Sequence, residues 1–228
     1  MDKEELNNLI EKLNQESEWN HFFELEKGIQ TIPNDKIPKS DGANIKKWKR
    51  ITKIINEKHF KDKTVLDIGC SDGYFSIMSS KFAKKVIGID LDFSRIKKAE
   101  FIKTYLKIKN CNFFHKSIDA FDNEKFDICL VLGLIHRLPD PLSFLNRLSQ
   151  ISDEVVIEYK CSKSQQKLAF YGGAQKKLND LNRLYFLFSP SCLENILENL
   201  GFKIVNSEKL PIFSKLKFPR HIIHAKKN

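Results

Sequence analysis

From residue 64 onward, short runs of β-branched residues alternate with segments whose apolar residues recur at helical spacing. This alternation predicts repeated strand–helix units and therefore a mostly parallel, doubly wound α/β sheet. Strands are predicted at residues 65–68, 85–89, 111–115, 126–132 and 154–159, and helices at residues 74–84, 94–106 and 142–149. In such a fold the carboxyl ends of the strands share one edge of the sheet, which is where ligands bind.

The segments that flank this region carry other patterns. Residues 4–13 predict an amphipathic opening helix, residues 28–42 a loop with two prolines, and residues 44–57 a helix. A helix at 190–200 and strands at 202–205 and 221–225 close the chain, and His221 and His224 are interpreted as structural residues of an edge strand. The polar segment after residue 159 predicts a substrate-side insertion or lid. We therefore divide the chain into an N-terminal helix and cap loop, residues 1–45, and one main domain, residues 46–228.

Length and composition restrict the class of protein. A chain of 228 residues, 41% of them hydrophobic, can bury one substantial core. The N-terminus is charged where a secretory signal would be apolar, and no apolar run reaches the ~18 residues that a membrane span needs. The five cysteines lie far apart and show no metal-ligand spacing. We predict a cytoplasmic protein with reduced thiols, no membrane association and no metal site.

The net charge of +10 is concentrated in two segments. Residues 44–63 contain eight Lys or Arg against two acids, and residues 203–228 contain seven against one, so each segment carries +6. This pattern is typical of proteins with a polyanionic partner, although a lysine-rich composition also charges surfaces that have no such partner.

The sharpest motif is VLDIGCSDGYFS, residues 65–76. An apolar strand ends in the acid Asp67, a tight turn with Gly69 and Gly73 follows, and a helix begins. A glycine lets the backbone approach a ligand, because a side chain there would occupy the ligand's space. The G-x-x-x-G spacing departs from the G-x-G-x-x-G dinucleotide fingerprint and argues against NAD. The next strand ends in Asp90, whose carboxylate suits the two hydroxyls of a ribose.

Over residues 46–159, these motifs resemble class I S-adenosylmethionine-dependent methyltransferases, which have a Rossmann-like fold. The resemblance implies that S-adenosylmethionine is the cofactor and that Asp90 holds its ribose. It further implies contacts of the cofactor with Asp67, Gly69, Ser71, Gly73, Tyr74, Leu91, Ile118, Asp119, Leu132 and Gly133. Ile118 stands where the family often has an acid that reads the adenine, so that contact is expected from the Ile118 backbone and Asp119.

The segment VLGLIHRLPDP, residues 131–141, is similar to the LGVLYHLPDP motif of the tRNA wobble-uridine carboxymethyltransferase family. His136 and Arg137 replace the tyrosine and histidine of that motif. His136 lies just beyond a predicted strand end, and it either takes a proton from the acceptor as the catalytic base or shapes the pocket. Arg137 either pairs with an acidic acceptor or caps the sheet.

Three further residues are substrate-binding candidates through this resemblance. Lys27 and Arg220 match positions that face the extra carboxylate of carboxylated S-adenosylmethionine or the acceptor, and Tyr185 opens a run of similar spacing. Each charged candidate has the alternative of being a solvated surface charge. Four residues, His136, Arg137, Tyr185 and Arg220, are expected to converge within reach of the donor methyl group, on an acceptor that is anionic or bears an acidic group.

Three functional classes remain open. A methyltransferase for a small-molecule or saccharide acceptor, using direct in-line transfer, is favoured by the short N-terminal extension and the insertion after residue 159. A tRNA-modifying enzyme that uses ordinary or carboxylated S-adenosylmethionine is favoured by the two basic segments. A non-catalytic module that binds the cofactor is the third class.

Overall fold

A computed structural model describes residues 2–32, 43–122, 124–164, 166–173, 184–210 and 218–227. The chain divides into two compact units, Met1–Ser117 and Ile118–Asn228. Among the described residues, the first unit contains three neighbouring parallel strands, and four strands of the second unit form a mixed sheet. The predicted Rossmann-like α/β class is confirmed, and the division after residue 45 stays a prediction.

The first unit contains the parallel strands that end at the predicted cofactor residues. Its order in the sheet is β3-β4-β5. β3 and β4 are buried except at their end residues, as their continuous apolar runs predict. The elements are α1 (Lys3–Glu16), β1 (Glu24–Glu26), β2 (Ile29–Gln30), α2 (Ala43–Ile54), β3 (Thr64–Ile68), α3 (Tyr74–Ser80), β4 (Lys85–Asp90), α4 (Phe93–Tyr105) and β5 (Cys111–His115).

The second unit combines one parallel and two antiparallel strand pairings in the order β10-β11-β7-β6. Of the described strands of this unit, only β6 and β7 pair with each other in parallel, and β8 and β9 form a separate antiparallel pair. The elements are β6 (Ile128–Leu132), α5 (Pro141–Ile151), β7 (Glu154–Lys160), β8 (Ala169–Gly173), β9 (Leu184–Phe188), α6 (Pro190–Asn199), β10 (Phe202–Leu210) and β11 (Arg220–Lys227).

Several predicted boundaries differ from the structure. β11 lies between β7 and β10, so the prediction of an edge strand for His221 and His224 was wrong. β10 extends to Leu210, well past the predicted end at residue 205. The prediction was too short because the later residues of β10 are mostly polar and show no apolar alternation. α2 ends at Ile54, and a 3₁₀ turn, Glu57–Phe60, follows it.

In the described part of the chain, no helix has both the length and the apolar character that a membrane crossing requires.

The polar segment of residues 161–180, predicted as an insertion or lid, contains β8, which pairs with β9 beyond the end of the segment. Residues 174–183 lie outside the described residues, as do residues 33–42 of the predicted cap loop. The role of the segment as a lid therefore stays a prediction.

Candidate functional site

A glycine loop, residues 69–73, joins the end of β3 to the start of α3. The amides of Gly69 and Cys70 both donate to the carbonyl oxygen of Ile89 on β4, at 2.8 and 2.9 Å. Gly69 and Gly73 have φ angles of +72° and +81°, a conformation that favours glycine. The loop is thereby held across the carboxyl ends of β3 and β4.

Gly73 is required by packing within the protein as well as by its φ angle. A Cβ atom at Gly73 would lie 2.6 Å from Cζ of Phe113 and 2.9 Å from Cβ of Ala99. A Cβ atom at Gly88 would lie 2.5 Å from Cδ1 of the same Phe113 ring. The sequence prediction explained glycine at position 73 by room for a ligand. The structure shows that the Phe113 ring alone requires a glycine at position 73. It also shows that Gly88, which the sequence prediction did not single out, is required by the same ring.

Asp67 lies near the end of β3 with its side chain buried. The hydroxyl of Ser76 on α3 donates to Oδ2 of Asp67 at 2.6 Å. Burial raises the pKa of Asp67 to about 7; the Ser76 hydrogen bond opposes this rise, and the neighbouring charge of Asp90 adds to it. A cation beside Asp67 would favour its carboxylate form. The position therefore suits a cationic group such as the ammonium of an amino acid.

Asp90 ends β4, and both of its carboxylate oxygens accept backbone hydrogen bonds. Oδ2 accepts from the amide of Ser71 and Oδ1 from the amide of Asp92, each at 2.9 Å. These bonds fix the orientation of the carboxylate and leave it lone pairs for a ligand. Leu91, the next residue, is 71% exposed. A fixed carboxylate beside an exposed apolar side chain suits a nucleoside, which presents ribose hydroxyls and the apolar face of a base.

Residues 17–23, here named the N-terminal strap, lie on the glycine loop. The buried carboxylate of Asp72 accepts from the amides of Asn20 and His21, at 2.5 and 3.0 Å. The ring of Tyr74, a predicted cofactor contact, packs on that of His21 with centroids 5.9 Å apart. Sequence reasoning missed Asp72 because its partners are backbone amides about fifty positions away, which have no sequence signature. The one available signal was an acid inside an otherwise apolar and glycine-rich turn.

In the second unit, Glu158, Arg220 and His136 form a polar cluster. The guanidinium of Arg220 binds both oxygens of the buried Glu158 carboxylate, with Nη2 at 2.8 Å from Oε2 and Nε bonded to Oε1. Nδ1 of His136 accepts from the amide of Lys160 at 3.3 Å. A neutral His136 ring therefore carries its hydrogen on Nε2.

The protonation of His136 bears on its predicted role. Burial, followed by the positive charge of Arg220, lowers the pKa of His136 to about 2. A ring of such low basicity does not accept a proton near neutral pH. Of the two predicted roles, shaping the pocket, with Nε2–H as a hydrogen-bond donor, fits this environment better than acting as a base.

The other predicted residues of the second unit lie at or after strand ends. Leu132 is the last residue of β6, and Gly133, with φ of +81°, donates to the carbonyl of Glu158 at 2.7 Å. Ile118 is buried at the start of a 3₁₀ turn, and Asp119, which follows it, is exposed. The cofactor role of these four predicted residues stays a prediction.

The predicted substrate residues are placed differently. Arg137 is exposed directly after His136, and its charge acts on that ring, as does the charge of Arg220. Lys27 is exposed in the turn between β1 and β2 of the first unit. The backbone of Tyr185 lies in β9, and its side chain is outside the described residues. Arg137 and Arg220 thus lie near His136 within the second unit, and the convergence of these residues on an acceptor stays a prediction.

Comparison with known proteins gives three kinds of match. A family model described as a methyltransferase domain matches residues 42–207. The tRNA U34 carboxymethyltransferase of Aliarcobacter butzleri (strain RM4018) is 27% identical over 153 residues, which are 64% of this chain and 49% of the relative. That of Trichodesmium erythraeum (strain IMS101) is 28% identical over 166 residues, 70% of this chain and 50% of the relative. The chain spans about half the length of these curated relatives.

A solved structure, the N-terminal domain of EvdMO1 in the presence of SAH and D-fucose, matches with a TM-score of 0.67 and 15% identity. It covers 100% of this chain and 97% of that one. This likeness shows the fold, and the family model covers most of the chain. With the glycine loop and the acid of β4 in place, the chain belongs to the methyltransferase domain family and has its class I, Rossmann-like fold.

Proposed function

We propose that the protein binds S-adenosylmethionine at the glycine loop and transfers its methyl group to a small-molecule or saccharide acceptor. The observation that carries this proposal is the placement of Asp67 and Asp90 near the carboxyl ends of the adjacent parallel strands β3 and β4. Asp67 takes the ammonium of the methionine part, because its buried carboxyl group is stabilised as a carboxylate by a cation. Asp90 takes the ribose hydroxyls, and the exposed Leu91 provides an apolar surface for the adenine.

The reaction requires alignment more than acid–base chemistry. The acceptor's lone pair forms the new bond to the methyl carbon while the sulfur–methyl bond breaks and its electron pair returns to sulfur. An enzyme accelerates such a step by holding the two reactants in line and excluding water. With a pKa of about 2, His136 takes no proton near neutral pH. We therefore expect an acceptor that is already anionic or ionises readily.

The identity of the donor is constrained by Arg220. This residue was predicted to face the extra carboxylate of carboxylated S-adenosylmethionine or the acceptor. Its guanidinium binds both oxygens of Glu158, so the pair offers little net positive charge to a further anion. This pairing supports ordinary S-adenosylmethionine as the donor.

Two observations bear on the acceptor. The EvdMO1 domain, solved in the presence of D-fucose, is matched over almost its whole length. The tRNA enzymes of Aliarcobacter butzleri and Trichodesmium erythraeum are matched over about half of theirs, and that of Helicobacter pylori (strain Shi470) over 72%. This difference supports a small acceptor. A tRNA acceptor is the second candidate, favoured by the names of the relatives and by the exposed lysines of α2. Family membership argues against the non-catalytic module, and a cytoplasmic location stays a prediction.

Calorimetry with S-adenosylhomocysteine tests the cofactor site directly. The wild-type protein should bind it, and Asp90→Ala should weaken binding by about 1–3 kcal/mol, because charged hydrogen bonds to the ribose are lost. Asp119→Ala is an informative companion, since the exposed Asp119 is the expected adenine contact. A wild-type protein that gives neither heat nor a thermal shift with this ligand would refute the proposal.

A further inference from the structure

The N-terminal strap holds the glycine loop through Asp72, whose side chain is fully buried. Oδ2 of Asp72 accepts from the amides of Asn20 and His21, and Oδ1 accepts from Nη1 of Arg95 at 3.2 Å. A second contact lies beside it, because the side-chain amide of Asn20 donates to the hydroxyl of Ser71 at 2.9 Å. Two consecutive loop residues are therefore bound by the strap.

Helix α4 fixes the strap from its other side. The guanidinium of Arg95 donates to the carbonyl of Glu18 as well as to Asp72. The buried ammonium of Lys98 donates to Oγ of Ser17 and to the carbonyl of Glu18, each at 2.9 Å, and lies 5.0 Å from the ring of Trp19. A buried cation needs all of its partners to offset its desolvation. The strap therefore has one well-defined position on α4, and through Asp72 so does the loop.

The loop residue that receives this support also orients Asp90. Ser71 has φ of +51°, a left-handed conformation that costs a residue with a side chain about 1–2 kcal/mol. In that conformation its amide points to Oδ2 of Asp90, at 2.9 Å. Asn20 binds the side chain of Ser71, and the strap amides bind the side chain of Asp72. The strap therefore holds both residues of the Ser71–Asp72 peptide and stabilises the left-handed conformation of Ser71. The strap thereby acts on the carboxylate assigned to the ribose.

We infer that Asp72 and Asn20 are positioning residues for the cofactor. They hold the glycine loop in the conformation in which Ser71 orients Asp90, and they raise the affinity for S-adenosylmethionine through the loop. This inference rests on the proposed cofactor site. Because coupling between two sites is reciprocal, a ligand bound at the loop must also stabilise the strap.

Three variants separate this role from general stability. Asn20→Ala removes one side-chain hydrogen bond from an exposed position. Binding of S-adenosylhomocysteine should become about threefold to tenfold weaker, while the melting temperature should fall no more than in the control variant Tyr105→Phe. Asp72→Asn, which loses the charge paired with Arg95, should weaken binding more than tenfold and also lower the melting temperature. Tyr105→Phe is the matched control, because it too removes one hydrogen bond, from the Tyr105 hydroxyl to Glu26 at 2.5 Å, which does not reach the loop.

Hydrogen exchange supplies a readout that a purely structural role would leave unchanged. In the wild-type protein, S-adenosylhomocysteine should slow exchange at the amides of Asn20 and His21, and this protection should decrease in Asn20→Ala. Two results would overturn this inference without affecting the proposed function. One is that Asn20→Ala and Asp72→Asn bind the ligand as tightly as the wild type does. The other is that the wild type binds the ligand without protection of the strap amides. A wild-type protein that does not bind the ligand overturns the proposed function as well.

Discussion

At the scale of single residues, the carboxyl group of Asp67 links the candidate site to stability. Burial raises its pKa from 3.8 to about 7, so the folded protein holds this proton more tightly than the unfolded chain does. The corresponding stabilisation is complete below pH 3.8 and is lost as the pH rises through about 7. A buried carboxylate at alkaline pH is thus a cost to the fold, which a bound cation offsets.

Asp67→Asn should remove that cost. We expect the variant to be more stable than the wild type at pH 8 by roughly 2–4 kcal/mol, with little difference near pH 4, because each pKa unit corresponds to about 1.4 kcal/mol. The same variant should bind S-adenosylhomocysteine at least about tenfold more weakly, since the partner of the ammonium is lost. Chemical denaturation at both pH values and calorimetry measure the two effects. Equal stability of variant and wild type at pH 8 would contradict the raised pKa.

At the scale of elements, the contact of Gly73 with Phe113 determines how α3 and β5 pack. Gly73→Ala should destabilise the protein by about 2–4 kcal/mol, because the new methyl group meets a ring and adds to the strain of a positive φ angle. Gly28→Ala is the matched control: Gly28 has φ of +84°, but nothing lies within 4 Å of the added Cβ. Its cost should be about 1 kcal/mol. Urea unfolding compares the two, and equal costs would show that Phe113 moves aside freely.

The strap makes a second prediction at this scale, through His21. Burial lowers the pKa of His21 from 6.5 to about 4, against the opposing charge of Asp72. The folded state then binds this proton less tightly than the unfolded state, so the contribution of His21 is present above pH 6.5 and is lost as the pH falls toward 4. His21→Phe keeps the ring contacts and removes the titration. The variant should therefore gain stability relative to the wild type between pH 6.5 and 4, by up to about 3 kcal/mol. A stability difference between variant and wild type that does not change with pH would show that folding does not lower the pKa of His21.

The sequence could predict the elements whose pattern is local. β3, the glycine loop and β4 were identified because buried parallel strands are continuously apolar, and because Asp67 and Asp90 mark the region where these two strands end. The β8–β9 pair was not predicted, because no sequence pattern links the two short segments that form it, residues 169–173 and 184–188. The same reason applies to the strap, where Asp72 binds backbone amides that any sequence would supply. The basicity of His136 depends on burial, which a strand-end motif does not report.

At the scale of the whole molecule, charge and chemistry lead to different acceptors. The net charge of +10 would attract a polyanion, and Lys49 and Lys53 of α2 belong to one of the two basic segments. Attraction by phosphate contacts falls steeply with salt, with a slope close to one counterion per contact. Transfer, by contrast, depends on an acceptor held in line with the methyl group. Binding of RNA and methylation of RNA are therefore separable measurements.

We predict that tRNA binding, measured by filter retention, weakens strongly between 50 and 200 mM salt, as is typical of phosphate contacts. Lys49→Glu with Lys53→Glu should weaken it further at low salt, whereas Lys3→Glu with Lys12→Glu, in α1, makes the same charge change outside the basic segment. With methyl-labelled S-adenosylmethionine, label should enter the low-molecular-weight fraction of an extract and be absent from tRNA at every salt concentration. An enzyme that modifies tRNA would place the label in the RNA. Label recovered in tRNA would therefore refute the small acceptor and establish the second candidate.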